Sequence, residues 1–145
     1  MNQRGVTLIE LIVVFVIIAV LAVLMVPNIA GWLPSYRLRS ATRDVVSTLR
    51  TAQMKAVSMN TAYGVGFGTN SCQLYRGTTP EGGTISLPSG VAFTNNTFPI
   101  DGTLGIRFAQ FNADSTSSSG SVTVSNSRGT RAISLTPTTG RVSAP

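Results

Sequence analysis

From Val6 to Val26 the chain is apolar at every position except Thr7 and Glu10. Those 21 residues, rising 1.5 Å each in a helix, cover about 31 Å, close to a bilayer core of roughly 30 Å. A secretory signal has a shorter apolar stretch with a small-residue cleavage site after it. Here the small residue, Gly5, comes before the run. On composition alone the segment reads as an ordinary transmembrane anchor or as a signal sequence. Glu10 is the exception that needs a reason, because a carboxylate near hydrocarbon is costly and usually functional.

The rest of the chain limits what that reason can be. At 145 residues there is room for one domain and an appendage. Residues 62–145 suffice for one modest core, stabilised only marginally by burial. No internal repeat is present. Eleven Lys and Arg against five Asp and Glu give a net charge of +6. That sign favours anionic partners such as phospholipid or nucleic acid and says nothing about fold. The chain has no histidine, which excludes Ser/His and Cys/His nucleophiles and histidine-containing metal sites. Cys72 is the single cysteine, so no internal disulfide forms. Its thiol is either buried or a point of intermolecular pairing, and burial is the simpler reading. The carboxylates of Glu10, Asp44, Glu81, Asp101 and Asp114 lie in separate stretches without acid/base or metal spacing. No DxD-type run suggests a calcium loop. The expectation is therefore no catalysis, no cofactor and no metal, with Glu81 in "PEGG" and Asp101 in "IDGT" serving turns.

Residues 35–60 read as an amphipathic helix. Leu38, Ala41, Val45, Leu49, Ala52 and Ala56 recur at three- and four-residue spacing and form one apolar stripe. Ser35 is placed to cap the start, and Asn60 and Gly64 fit a stop. At about 100° per residue, Arg39, Arg43 and Arg50 cluster within roughly 40° on the far side. This row is either a solvated face or a contact for lipid headgroups, a neighbouring subunit or nucleic acid. Pro27, Gly31 and Pro34 lie between the two helical stretches, and each proline removes a backbone donor. The expectation is one helix of about 55 residues, near 80 Å if straight, bent or loosened between Pro27 and Pro34.

After Asn60 the apolar period changes to two. Tyr63, Val65 and Phe67 alternate, as do Cys72 and Leu74, Ile85 and Leu87, and Val91 and Phe93. Leu104, Ile106 and Phe108 follow, then Val122 and Val124, then Ile133 and Leu135. Short strands with turn residues between them predict an antiparallel sheet or small sandwich packed on the helix. Phe108, Ala109 and Phe111 break the alternation, which predicts a bulge. "TTPEGG" and "SNSRGT" read as turns, and residues 112–121, "NADSTSSSGS", as a mobile loop. The fold class is thus α+β. A membrane segment at 6–26, a Pro/Gly hinge at 27–34 and an amphipathic helix at 35–61 lead into a β-rich domain at 62–145.

Arg4-Gly5-Val6-Thr7-Leu8-Ile9-Glu10, the long apolar run and Pro27 together resemble the class III signal of type IV prepilins and pseudopilins. The resemblance implies a leader at 1–5, cleavage by a prepilin peptidase between Gly5 and Val6, and methylation of the new amino terminus on Val6. The usual first residue after the cut is phenylalanine, and this chain has Val6. Glu10 then stands fifth in the processed chain, where the family has the glutamate that acts in filament assembly. A carboxylate four residues along a helix can neutralise the amine of its own or a neighbouring subunit and so set axial register, since an unpaired buried charge is strongly unfavourable. Pro27 falls where many members have a helix-kinking proline.

The helix from Arg39 and the closing strand "RAISLTPTTGRV" are similar to the GspH/FimT branch of the same superfamily. That resemblance implies a minor pilin or pseudopilin of a type IV pilus or type II secretion filament. Its partners would be prepilin peptidase, other pilins, an inner-membrane assembly platform and the lipid bilayer. It also implies a single pass through the bacterial inner membrane with the C-terminal domain periplasmic. The charge count alone points the other way, with only Arg4 before the span and Arg37, Arg39 and Arg43 after it. An alternative within the family is DNA uptake through a basic Gly-Arg-x-Arg motif. This chain has Gly140-Arg141-Val142-Ser143, which lacks the second arginine, so Arg107, Arg128 and Arg131 would have to supplement Arg141.

Overall fold

The structure, a computed structural model, describes residues 6–144, and for residues 26–30 the backbone alone. It divides into two units, 1–33 and 34–145. A single helix, α1 (Leu8–Ser58), runs from the first into the second. Ser35 therefore lies inside a helix and has no terminus to cap, contrary to the sequence expectation.

In the second unit α1 is held by its predicted stripe. Leu38, Ala41, Val45, Leu49, Ala52 and Ala56 are all buried, none more than 7% exposed. Three of the six are alanines, so the β domain can approach the helix backbone closely. Thr42 and Thr48 are also buried, and each satisfies its hydroxyl by donating 2.8 Å to the carbonyl four residues back, Leu38 and Asp44. The helix stops where Asn60 takes a left-handed φ of 48°. The Thr61 amide then donates to the Ala56 carbonyl at 3.2 Å and the Asn60 amide to Val57 at 3.4 Å. This is the Schellman closure, and asparagine serves it because its short polar side chain tolerates the left-handed region. Gly64, the other expected stop, instead lies within the first strand.

Among the described residues nine strands follow and form two antiparallel sheets. In the first, β1 (Tyr63–Phe67) is central, with β2 (Ser71–Arg76) on one side and β6 (Arg107–Phe111) on the other. The short β3 (Thr79–Pro80) and β4 (Ile85–Ser86) both pair with β2. The second sheet has the order β5 (Ala92–Thr94), β7 (Gly120–Asn126), β8 (Gly129–Thr136), β9 (Arg141–Ser143). Tyr63, Val65, Phe67, Cys72, Ala109 and Phe111 from the first sheet meet Val122, Val124, Ile133 and Leu135 from the second, in one core with the helix stripe. Phe98 is fully buried and stacks on Phe67 at 5.4 Å and 4°. It sits in the turn-rich "TNNTFP", where no periodicity marks it as core.

Several strand expectations need correction. No bulge occurs in β6, which pairs continuously with β1 from Tyr63↔Phe111 to Phe67↔Arg107. The alternation looks broken because both faces are covered. Ala109 and Phe111 face the core, while Phe108 lies on the other face with Tyr75, their rings 5.7 Å apart edge to face. Gly64 makes room for that cover, because a Cβ there would sit 2.3 Å from the Phe108 ring. Leu104 and Ile106 are not in β6. They belong to the turn before it, where Asp101 Oδ1 accepts the amides of Thr103 (2.9 Å) and Leu104 (2.8 Å), the turn role expected of Asp101.

Residues 112–121 are tied down rather than loose. Asp114 Oδ1 accepts from Thr116 N at 3.0 Å and from its hydroxyl at 2.6 Å, and Ser117 N donates to Pro137 O at 2.9 Å. The closing stretch is a hairpin, β8 and β9, not one strand. Pro137 cannot donate to a ladder, and Gly140, at φ 60°, reverses the chain.

Glu81 does more than serve a turn. Its carboxylate pairs with Lys55 near the end of α1, and the Lys55 ammonium lies 5.8 Å from the centre of the Tyr63 ring. The Lys55 hydrogen bond, then that of Tyr63, holds the Glu81 carboxyl below its ordinary range, and Glu81 raises Lys55. Cys72 is buried as expected, and burial pushes its thiol up to about 11.

Two predictions follow from this packing. A Cβ on Gly140 would meet Gln53 Nε2 at 2.7 Å and the Ser115 carbonyl at 2.9 Å, at a φ that favours glycine. Gly140→Ala should cost about 2 kcal/mol or more, read as a lowered Tm of the full chain in detergent. Gly82→Ala, also at positive φ but in open space, should cost about 1 kcal/mol. Equal losses would contradict the Gly140 packing. For the ion pair, a carboxyl lowered on folding stabilises above its ordinary value near 4.5 and loses that contribution as pH falls through its lower folded value. The stability difference between wild type and Glu81→Gln should therefore shrink on acidification below about pH 4.5. A difference that stays constant to pH 3 would contradict the pairing.

Candidate assembly and anchoring site

The first unit presents its apolar surface without cover of its own. Leu8–Met25 has a mean hydropathy of 3.3, and none of it is buried within the chain. Every large apolar side chain from Val6 to Met25 is 50–76% exposed. An amphipathic surface helix keeps a polar face for water; this one is apolar all round, so hydrocarbon or other helices must cover it. Ala19, Val20, Val23 and Leu24 line a shallow apolar depression of about 310 Å³, where the small Ala19 leaves room for a side chain from outside.

Glu10 sits in the first turn of this helix. Thr7 precedes Leu8 as the N-cap, and its hydroxyl accepts from the Glu10 amide at 3.4 Å. Its carbonyl accepts from the amides of Glu10 (3.1 Å) and Leu11 (3.2 Å). "TLIE" therefore has the spacing of a capping box, Thr at the cap and Glu three residues later. That signal is visible in the sequence, yet it is overlooked when Thr7 is read only as an interruption of the apolar run. An acidic side chain here also suits the positive end of the helix dipole. The capped turn fixes Glu10 on a rigid element one turn from Val6. Gly5, the expected cleavage residue, lies outside the described residues.

Arg141 and the arginines that would supplement it, Arg107, Arg128 and Arg131, stand at different places in the β domain. Arg128 is in the β7–β8 turn, where its amide donates to Asn126 Oδ1 at 2.9 Å. The Asn126 side chain in turn donates to the Pro34 carbonyl at 2.6 Å, tying this hairpin to the helix. Arg141 on β9 pairs with Thr136, on the opposite face of the sheet from the buried Ile133 and Leu135. Arg107 is occupied, donating 2.7 Å to the Phe98 carbonyl. Arg131 alone joins the helix row, lining an open groove with Arg39, Arg43 and Arg50. No sequence period links a strand residue to a helix face, so this grouping is not legible before folding. Among the described residues no group of three or more His, Cys, Asp or Glu side chains is placed to hold a metal ion.

Comparison with known proteins fits this division of the chain. A family profile described as the prokaryotic N-terminal methylation motif matches residues 1–26. A second, described as type II transport protein GspH, matches residues 41–139. None of the curated proteins matches the sequence. Among solved structures, the type IV minor pilin FimU of Pseudomonas aeruginosa strain PAO1 is similar in two crystal forms. In one the TM-score is 0.58 at 15% identity, covering 77% of this chain and 94% of that one. In the other it is 0.56 at 14% identity, covering 74% and 91%. At those identities the likeness shows a shared fold.

The cap makes its own prediction. Thr7→Ala should fray the first turn, costing about 1 kcal/mol locally, and Thr7→Ser should restore most of it. Amide exchange at Glu10 and Leu11 in micelles should quicken about fivefold in the alanine variant. Unchanged exchange would contradict the capping role.

Proposed function

The chain belongs to the GspH family of type II transport proteins, carries a prokaryotic N-terminal methylation motif, and has the α+β minor-pilin fold; from this premise we propose that it is a structural subunit of a type IV pilus or type II secretion filament. The observation that carries the reading is the combination at its amino end. An apolar helix exposed on every side begins with a capped turn that holds one carboxylate. Prepilin peptidase cuts between Gly5 and Val6 and methylates Val6. Before assembly, residues 6–26 anchor the subunit in the bacterial inner membrane by a single pass, with residues 62–145 in the periplasm. During assembly the same surface moves from lipid to neighbouring pilin helices. The inner-membrane platform drives that transfer, and Pro27 and Pro34 give the helix its hinge.

Glu10 decides where a subunit stops. Cleavage leaves a charged amine on Val6, and an amine inside a bundle of apolar helices is strongly unfavourable without a counter-charge. The Glu10 carboxylate of a neighbouring subunit supplies it, so a subunit displaced axially would leave both charges unpaired. The chain's own chemistry ends there; the peptidase supplies the catalytic groups for its processing.

Glu10→Ala should leave removal of residues 1–5 intact and reduce the amount recovered in sheared filaments by about tenfold or more, the effect of losing one partner of a buried pair. Glu10→Asp, with a shorter reach, should fall between. Normal recovery of the alanine variant would sink the register mechanism. A block in processing would relocate the role of Glu10 to peptidase recognition.

A further inference from the structure

The groove of about 680 Å³ beside α1 has a composition that suits one kind of occupant. Arg39, Arg43 and Arg50 form one wall on the helix, Arg131 reaches in from β8, and Val46, Met54 and Ala144 lie among them. Met54 is 64% exposed. Among the described residues no acidic side chain lines the groove. We propose that this surface docks an acidic, amphipathic segment of a different protein chain. The groove lies wholly within residues 34–145, so the inference stands whether or not the chain enters a filament.

Charge selects the partner's sign, and the acidic side chains among the described residues argue against a second copy. Glu81 is paired with Lys55. Asp101 and Asp114 are engaged in turns by Thr103, Leu104 and Thr116. Glu10 lies in the apolar segment, which leaves Asp44. One carboxylate cannot answer the three guanidinium groups of the helix wall, so a self-contact would leave like charges facing each other. A partner richer in Asp and Glu can offer bidentate carboxylates, which the planar guanidinium fork favours.

The apolar residues separate a protein segment from a nucleic acid. Single-stranded nucleic acid is held by aromatic stacking along a basic groove, and no aromatic residue lines this one. Val46 and Met54 offer flexible aliphatic contact instead, suited to Leu or Val on the same face of a partner as its acids. Arg39 and Arg50 stand 11 residue steps apart on the helix, about 17 Å at 1.5 Å each. That length matches about three turns of a partner helix.

The test uses the full chain in zwitterionic detergent. A fluorescent peptide with Glu and Leu on one helical face is the probe, and a labelled single-stranded oligonucleotide of equal net charge is its competitor. Saturable peptide binding is expected, weakened by added salt. Arg43→Ala with Arg50→Ala, both exposed and outside the core, should weaken it about tenfold, and Arg131→Ala should also weaken it. Arg141→Ala, on the other face of the sheet, should leave it unchanged. Replacing the probe's Leu by Ser should weaken binding several-fold. The proposal is overturned if the helix double variant binds the peptide as wild type does, if the Ser peptide binds equally well, or if the oligonucleotide binds more tightly and displaces the peptide. The last result would identify a nucleic-acid groove.

Discussion

An apolar helix with no polar face cannot remain in water, and the rest of this protein is arranged around that fact. Residues 8–25 bury nothing against their own chain. At roughly 25 cal/mol per Å² of apolar surface, covering such a segment is worth far more than any single contact in the β domain. Lipid can supply the cover, and so can a bundle of like helices. Neither distinguishes one axial position from the next, because apolar contact has no direction. A charged pair does. In the proposed assembly, one carboxylate, held by a capped first turn, would add to a non-specific surface the positional information that an ordered filament requires.

The β domain solves a different problem. It holds the second half of α1 through six small or aliphatic residues and leaves the opposite helix face outward. Both sheets feed one core, and local devices close the open ends: the Asn60 cap, the Asp101 turn, and the Lys55–Glu81 pair that pins the helix end to the strand region. Gln53 donates 3.3 Å to the Thr139 carbonyl beside Gly140, so the last hairpin is tied to the helix as well. The outward helix face keeps its arginines available, with Arg131 of β8 beside them.

Much of this was legible in the sequence, and the failures have physical causes. The helix stripe was complete because a 3.6-residue period is a strong signal over 20 residues. Val122, Val124, Ile133 and Leu135 were found because their strands are covered on one face and alternate cleanly. Strand β6 misled because aromatic residues cover both of its faces, so a regular strand imitated a bulge. The single long helix was legible, and Ser35 misled because a start was read just past the prolines, whereas α1 runs unbroken through Pro27 and Pro34. Residues 112–121 looked loose by composition, yet Ser, Thr and Asp are also the residues that hydrogen-bond local backbone. That Arg141 and Arg131 stand on opposite faces of a sheet is a fact that only register reveals.

The central claim is that Val6 becomes a charged, methylated terminus opposed to Glu10, and the intact mass of the native protein tests it most directly. Mass spectrometry of the protein and of its N-terminal peptide, isolated from membranes, should give a chain lacking Met1–Gly5 and carrying one methyl group on Val6. A chain that retains Met1–Gly5, or one cut beyond the apolar run, would contradict the account. No new amine would then lie one turn from Glu10, and the carboxylate would have nothing to neutralise.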